Sequence, residues 1–197
     1  MVRFLRAVFP ELTRLTVADL SAERAAQFKA RCEAAFAGLE VEVAPDAGAA
    51  LAAAPLVSLA TTAIRPHIAD LSDCAPGSTL LHVSLRDLSP EAILAADNVV
   101  DDVDHVCRAQ TSVHLAEQLV GHRDFIRCTL ADVLTGGAAP RRAADGVTVF
   151  SPFGLGVLDI ALSKMVCDLG RANGRGVLIP SFIPDMTAAS PEGQSPA

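Results

Sequence analysis

The sequence predicts an α/β protein built around a parallel sheet, and three observations carry that prediction. Short apolar segments with strand character alternate along the chain with segments of helical periodicity. Ser, Pro and Gly stand where those helices should start and stop. The chain of 197 residues is 51% apolar, yet it has no Trp, no Tyr and only eight Phe. Ala, Val and Leu must therefore fill the core, and such small side chains let helices lie close on a sheet. Regular alternation of strand and helix gives parallel strands joined by right-handed crossovers.

Residues 1–9 read as an amphipathic helix, with Val2, Leu5 and Phe9 on one face and Pro10 closing it. Residues 12–17 alternate as a strand and run into Ala18 and Asp19. Ser21 then caps a helix carrying Ala25, Phe28 and Cys32 on one side. Further strands are expected at 39–43, 56–61, 79–84, around Val99 and Val100, and at 147–150. An Ala-rich helix precedes Pro55, one long helix should cover 104–120, a short one 130–134, and a last long one 155–169. Residues 187–197 are small and polar and are expected to be disordered.

Composition excludes several classes of partner. A net charge of −7 speaks against a nucleic-acid surface, which needs clustered Lys and Arg. No basic amphipathic stripe marks an anionic membrane. The uncharged run 47–64 is interrupted by Pro55 and carries Ser58, Thr61 and Thr62. A membrane span is predominantly apolar over about 20 residues, so a short helix and a buried strand fit this run better. The five cysteines are dispersed and form no C-x-x-C pair, which is the usage expected of free thiols in a reducing, cytoplasmic compartment.

Asp19 gives the layout its chemistry. In a dinucleotide-binding βαβ unit, the acid that holds the adenosine ribose closes the second strand, about 20 residues after a glycine-rich turn. Asp19 follows an apolar strand and precedes a capped helix, and residues 1–9 match the tail of the helix that would lie between. The expected fold is therefore a Rossmann-like parallel sheet lacking its first strand and glycine-rich turn. The alternative at this position is an Asp that only caps a turn or a helix.

Asp87 is the leading candidate for chemistry. It follows the strand ending in His82, Val83 and Ser84, where α/β proteins bind ligands at strand carboxyl ends. A carboxylate there could take a proton from an amine as hydride leaves the neighbouring carbon. The alternatives are pairing with Arg86 or capping the helix near Pro90. Thr61 and Thr62 close another strand and offer hydroxyls to a ribose or an amide, or are ordinary strand-end threonines.

Three further patterns read as structural. Gly154 and Gly156 imitate the start of a phosphate loop, but Asp159 stands where the third glycine belongs, so close packing at a turn explains them. The cluster Asp101, Asp102, Asp104 and His105 lacks the glycine and later Glu of a calcium loop and suits a helix start. No metal is expected. Ser84 and Ser151 lack a nucleophile-elbow context, so a hydrolase has no support.

The segments His82-Val-Ser-Leu-Arg-Asp87-Leu-Ser-Pro-Glu91, Asn98-Val-Val-Asp-Asp102 and Thr148-Val-Phe-Ser-Pro-Phe-Gly-Leu-Gly-Val-Leu-Asp159 together resemble the ornithine cyclodeaminase/μ-crystallin family. Within it, the resemblance is strongest to dehydrogenases of 2,3-diaminopropionate biosynthesis, which act on N-(2-amino-2-carboxyethyl)-glutamate. It implies an NAD-dependent, two-domain, homodimeric enzyme acting on a small amino-acid-like substrate. Residues 1–150 would be a truncated NAD-binding domain, and 151–186 would return towards a substrate and dimerisation domain.

By the same resemblance, Asp19 would bind the adenosine ribose and Thr61 the cofactor, with Ser84, Leu85 and Arg86 along the nicotinamide side. Asp87 matches the catalytic acid–base, and Leu88 and Phe153 match positions that touch substrate. Glu91 stands where ornithine-cyclising members have Lys, and Pro152 where they have Ser. Both departures favour the diaminopropionate branch over ornithine cyclisation. With the glycine turn expected ahead of residue 1, NAD binding and turnover by this chain are expected to be impaired. An inactive remnant serving as an interaction module is the other reading.

Overall fold

A computed structural model of the protein describes residues 1–179. The elements in chain order are α1 (Val2–Val8), β1 (Arg14–Val17), α2 (Ala22–Ala35), β2 (Glu40–Val43), α3 (Ala47–Ala52), β3 (Leu56–Leu59), β4 (Thr79–His82) and α4 (Pro90–Ala95). They continue with β5 (Asp97–Val100), α5 (Val103–Val106), α6 (Ser112–Val120), β6 (Ile126–Thr129), α7 (Leu130–Leu134), β7 (Thr148–Ser151) and α8 (Gly156–Ala172). The expected tail at 187–197 lies outside the described residues.

The expectation of a parallel α/β fold holds, with the strands divided between two sheets. β1 and β2 pair in parallel, Arg14 opposite Glu40 and Val17 opposite Val43. The other five strands form one sheet in the order β3-β4-β7-β5-β6, and every pairing in it is parallel. Each sheet has its own core. Cys32, Leu39 and Val41 pack with Phe28, Phe36 and Val2 beside the two-stranded sheet. Leu80, Leu88, Ile93, Val100, Val113 and Val149 form the larger core of the five-stranded one. Full burial of each such aliphatic stabilises the fold by about 1.5–3 kcal/mol.

The helix starts follow the sequence. Ser21 accepts from the N–H of Arg24, and Ser89 accepts from the N–H of Ala92 with Pro90 at the first helical position. The helix expected over 104–120 is instead two helices, α5 and α6. Between them Ala109 and Gln110 adopt left-handed backbone angles, φ 52° and 56°. Two contacts hold this break. Arg86 donates to the carbonyls of Gln110 and Ala109 at 3.0 and 2.7 Å, and Ser112 N–H donates to the carbonyl of Leu85 at 2.8 Å. Thr111 then caps α6 by accepting from His114 N–H. Tertiary bonds to the β4–α4 turn thus override a continuous helical pattern.

β6 is an addition to the expected strands. Its four residues carry Arg127, whose Nε donates to Asp97 at 2.5 Å, and Thr129 ends the strand while capping α7. A charged residue and an immediate helix start conceal it in the sequence. The last helix spans Gly156–Ala172 and lies in a second compact unit that begins at Gly156. Lys164 and Asp168 pair along it at 2.5 Å. Among the described residues no helix is long and apolar enough to cross a membrane.

Candidate active site

β4 alternates inward and outward, so Leu80 and His82 both face the interior. Beyond His82 the chain turns tightly, and Asp87 N–H points back to Nε2 of His82 at 3.3 Å. This places the Asp87 side chain at the carboxyl end of β4 with 0% exposure. Oδ1 accepts from the Thr61 hydroxyl, which follows β3, and lies 3.0 Å from Nε2 of His67. Oδ2 accepts from the Ser84 hydroxyl and lies 3.3 Å from Nε2 of His82. The carboxylate is therefore surrounded by four side chains drawn from β4 and from the loops after β3 and β4.

Burial by itself pushes the Asp87 carboxyl upward. The hydrogen bonds from His82, Ser84, Thr61 and His67 outweigh it and hold the group well below the usual carboxylate range. Asp87 is thus an ionised, desolvated carboxylate, the type of group that stabilises a cation placed beside it.

The same region accounts for the other candidates. Thr61 donates to Asp87 and accepts from Ala63 N–H at 3.0 Å, so its rotamer is fixed from both sides. Ser84 and Leu85 line a small cavity shared with His82, Val106, Thr111 and Ser151. Nδ1 of His82 lies 3.2 Å from the Ser151 hydroxyl, joining β4 to β7. Arg86 is engaged with the Ala109 and Gln110 carbonyls, away from Asp87. Leu88 has 0% exposure and belongs to the core, so its side chain is packed inward. Phe153 packs partly against that core, with its N–H bonded to Asp101 Oδ2 at 2.9 Å.

Asp19 stands apart from this cluster, directly after β1. Its Oδ1 accepts from Ser21 N–H at 2.8 Å and pairs with Arg24 at 3.3 Å. The residue is solvent-accessible, so a carboxylate edge remains for a ribose hydroxyl. Asp19 and Thr61 each follow the carboxyl end of a parallel strand, β1 and β3. The glycine pair at 154 and 156 offers no competing cradle, because Asp101 Oδ2 already accepts the N–H groups of Phe153 and Gly154. Gly154 needs its lack of a side chain for φ 104°.

The acidic cluster resolves into separate structural tasks. Asp101 holds the turn after β7, Asp102 caps α5 through His105 N–H at 2.8 Å, and Asp104 pairs with Arg123 at 2.7 Å. Asp87 itself neither pairs with Arg86 nor caps α4, since Ser89 performs the capping.

Two histidines at this site carried no assigned role in the sequence. His82 had an available signal, its place on the inward face of a strand just before Asp87. His67 had none, because it lies in the irregular segment between β3 and β4 and only the folded chain brings it to Asp87.

Comparison with known proteins matches residues 2–174 to the model of the ornithine cyclodeaminase/mu-crystallin family. The chain belongs to this family. Among solved structures, CmnK is 32% identical with a TM-score of 0.78, over 91% of this chain and 53% of that one. The Δ(1)-pyrroline-2-carboxylate reductase of Thermococcus litoralis, solved with NADH and L-proline, is 20% identical with a TM-score of 0.77, over 84% of this chain and 53% of that one. An archaeal alanine dehydrogenase dimer with bound NAD is 22% identical with a TM-score of 0.78, over 92% and 56%. These last two likenesses speak to the fold alone. The chain spans about half the length of these structures. No match was found among curated proteins.

Proposed function

We propose that this chain carries the cofactor and acid–base side of an NAD-dependent amino acid oxidoreductase. The reaction is oxidative cleavage of N-(2-amino-2-carboxyethyl)-L-glutamate to 2,3-diaminopropionate and 2-oxoglutarate. The observation that carries the reading is Asp87, a fully buried carboxylate at the end of a parallel-sheet strand, with Thr61, Ser84, His67 and His82 converging on its two oxygens.

Bound NAD would supply the hydride acceptor. Asp19 would hold the adenosine ribose, and Thr61 and Ser84 would line the nicotinamide side while orienting Asp87. As hydride leaves the α-carbon of the glutamate moiety, positive charge develops on the adjoining nitrogen. Asp87 stabilises that iminium and takes the nitrogen's proton, leaving a neutral imine. Water adds to the imine carbon, and the C–N bond breaks to give the amine and the 2-oxo acid. Atoms and charge balance with one NAD and one water consumed, and one NADH and one proton released.

Glu91 lies exposed in the first turn of α4, where an acid suits the helix dipole. It offers no ammonium for ornithine chemistry, which favours the cleavage over cyclisation. The family context and the NAD- and NADH-bound neighbours support the cofactor, and a homodimer in the cytoplasm is part of the same proposal.

The test is to incubate the purified chain with NAD and, separately, N-(2-amino-2-carboxyethyl)-L-glutamate, ornithine, proline and alanine, following reduced nicotinamide and products. NADH together with 2-oxoglutarate from the first substrate is the expected result, at a rate lowered by the impaired NAD binding expected of this chain. Ammonia and proline from ornithine would establish the cyclising alternative instead. Absence of turnover with every substrate would overturn the enzymatic reading of this chain.

A further inference from the structure

Asp87 is sealed from water, so any proton it accepts needs a route out. Its Oδ2 faces Ser84 and His82, and His82 is itself buried. Its Oδ1 faces the Thr61 hydroxyl and Nε2 of His67. Of the two imidazoles touching the carboxylate, His67 is the one that reaches solvent, with 42% of its side chain exposed. Its backbone is anchored to the same residue, since the N–H groups of His67 and Ile68 both donate to the Asp87 carbonyl at 2.9 Å. An Ile68–Leu88 bridge fixes the segment further.

We propose that His67 is a proton-relay residue that carries protons between Asp87 Oδ1 and solvent. The proposal rests on the reading of Asp87 as the acid–base group. A proton taken from the substrate nitrogen resides on Asp87. The exposed His67 ring, which presents Nε2–H to the ionised carboxylate, exchanges tautomers through solvent so that Nε2 is free to accept the proton from Oδ1. The imidazolium then loses its Nδ1 proton to water, which restores the Nε2–H that faces the ionised carboxylate. No redox partner enters this sequence, and one proton leaves for each one accepted. Imidazole suits the task because its unperturbed pKa, about 6.5, lies near neutrality.

Two measurements separate this proposal from its foundation. The first needs no turnover: the Asp87 carboxyl-carbon NMR signal is followed against pH in the full chain and in His67→Gln. In the wild type the signal should show a pH-dependent inflection that His67→Gln removes. A signal insensitive to pH across the imidazole range would overturn the pairing, and the relay with it. The second compares NADH formation by the wild type, His67→Gln and His67→Gly, with and without added imidazole. The relay predicts about a tenfold or greater loss in kcat at unchanged KM for both variants, with imidazole restoring His67→Gly. Loss without rescue would assign His67 to packing and overturn the relay, as would variants as fast as the wild type. A wild-type chain without turnover that still shows the inflection would overturn the functional reading and the relay, while leaving the Asp87–His67 pair established.

Discussion

Nε2 of His82 lies 3.3 Å from the backbone nitrogen of Asp87 and 3.3 Å from its Oδ2. Those two neighbours ask opposite things of one ring atom. The backbone N–H needs a lone pair, whereas the carboxylate needs a proton. Nδ1, 3.2 Å from the Ser151 hydroxyl, adjusts to either state because a hydroxyl both donates and accepts.

Replacing His82 by Leu removes both options and leaves a buried N–H and a buried carboxylate each one partner short. The expected loss is about 1–3 kcal/mol of folding stability, measured by urea unfolding. A His82→Leu protein with wild-type stability would show that the ring packs without bonding.

Asp87→Asn should lower NADH formation by about a hundredfold or more, since an amide can neither take the proton nor balance the iminium. NAD binding, followed by amide NMR at Asp19 and Thr61, should change little. A parallel loss of cofactor binding would mean that Asn rearranges the site.

The same residue sets an acid dependence. Its pKa in the fold is depressed relative to the unfolded chain, so its contribution is complete above about pH 3.9, the unfolded value. That contribution is lost as pH falls through the lower folded value. The stability gap between wild type and Asp87→Asn should therefore be widest near neutrality and shrink below about pH 4. Urea midpoints over that range test it, and a gap that widens on acidification would reverse the sign.

Ala109 occupies a left-handed backbone conformation that glycine adopts without strain. Ala109→Gly should leave stability unchanged or raise it by up to about 1 kcal/mol. Arg86→Ala, which frees the Ala109 and Gln110 carbonyls, should instead speed amide exchange at Ser112. Unaltered exchange there would mean that the Ser112–Leu85 bond and the Thr111 cap hold the break between α5 and α6 without Arg86.

Asp97 and Arg127 form an ion pair at 2.5 Å with side chains 5% and 15% exposed, linking β5 to β6. Burial opposes ionisation of Asp97, but the guanidinium and the Arg142 N–H hold its carboxyl below the usual range. Arg127→Met leaves that charge without its partner and should destabilise the fold by about 3 kcal/mol or more. Denaturant unfolding decides it, and a smaller loss in the double variant with Asp97→Asn would locate the effect in the pair.

Much of this architecture is legible from sequence because local signals agree with the fold. Ser21 and Ser89 cap the helices that follow them, and the apolar segments around Leu15, Val57, Leu80 and Val149 all become strands. Where local and tertiary preferences disagree, the sequence misleads. The helical pattern at 104–120 is continuous until Arg86 and Leu85, from another turn, claim the carbonyls and the N–H that flank its break. β6 is unrecognisable until Asp97 gives Arg127 a reason to be half-buried.

The division is similar at the site. The sequence alone determined the strand–Asp order that puts Asp19 and Asp87 at strand carboxyl ends, because chain direction and periodicity are local properties. Only the tertiary structure decided that Asp87 is sealed from water, that Thr61 and Ser84 donate to it, and that His67 and His82 approach from opposite oxygens. Those are properties of crossovers, which bring together residues separated along the chain, and no local pattern encodes the distance at which two such segments meet.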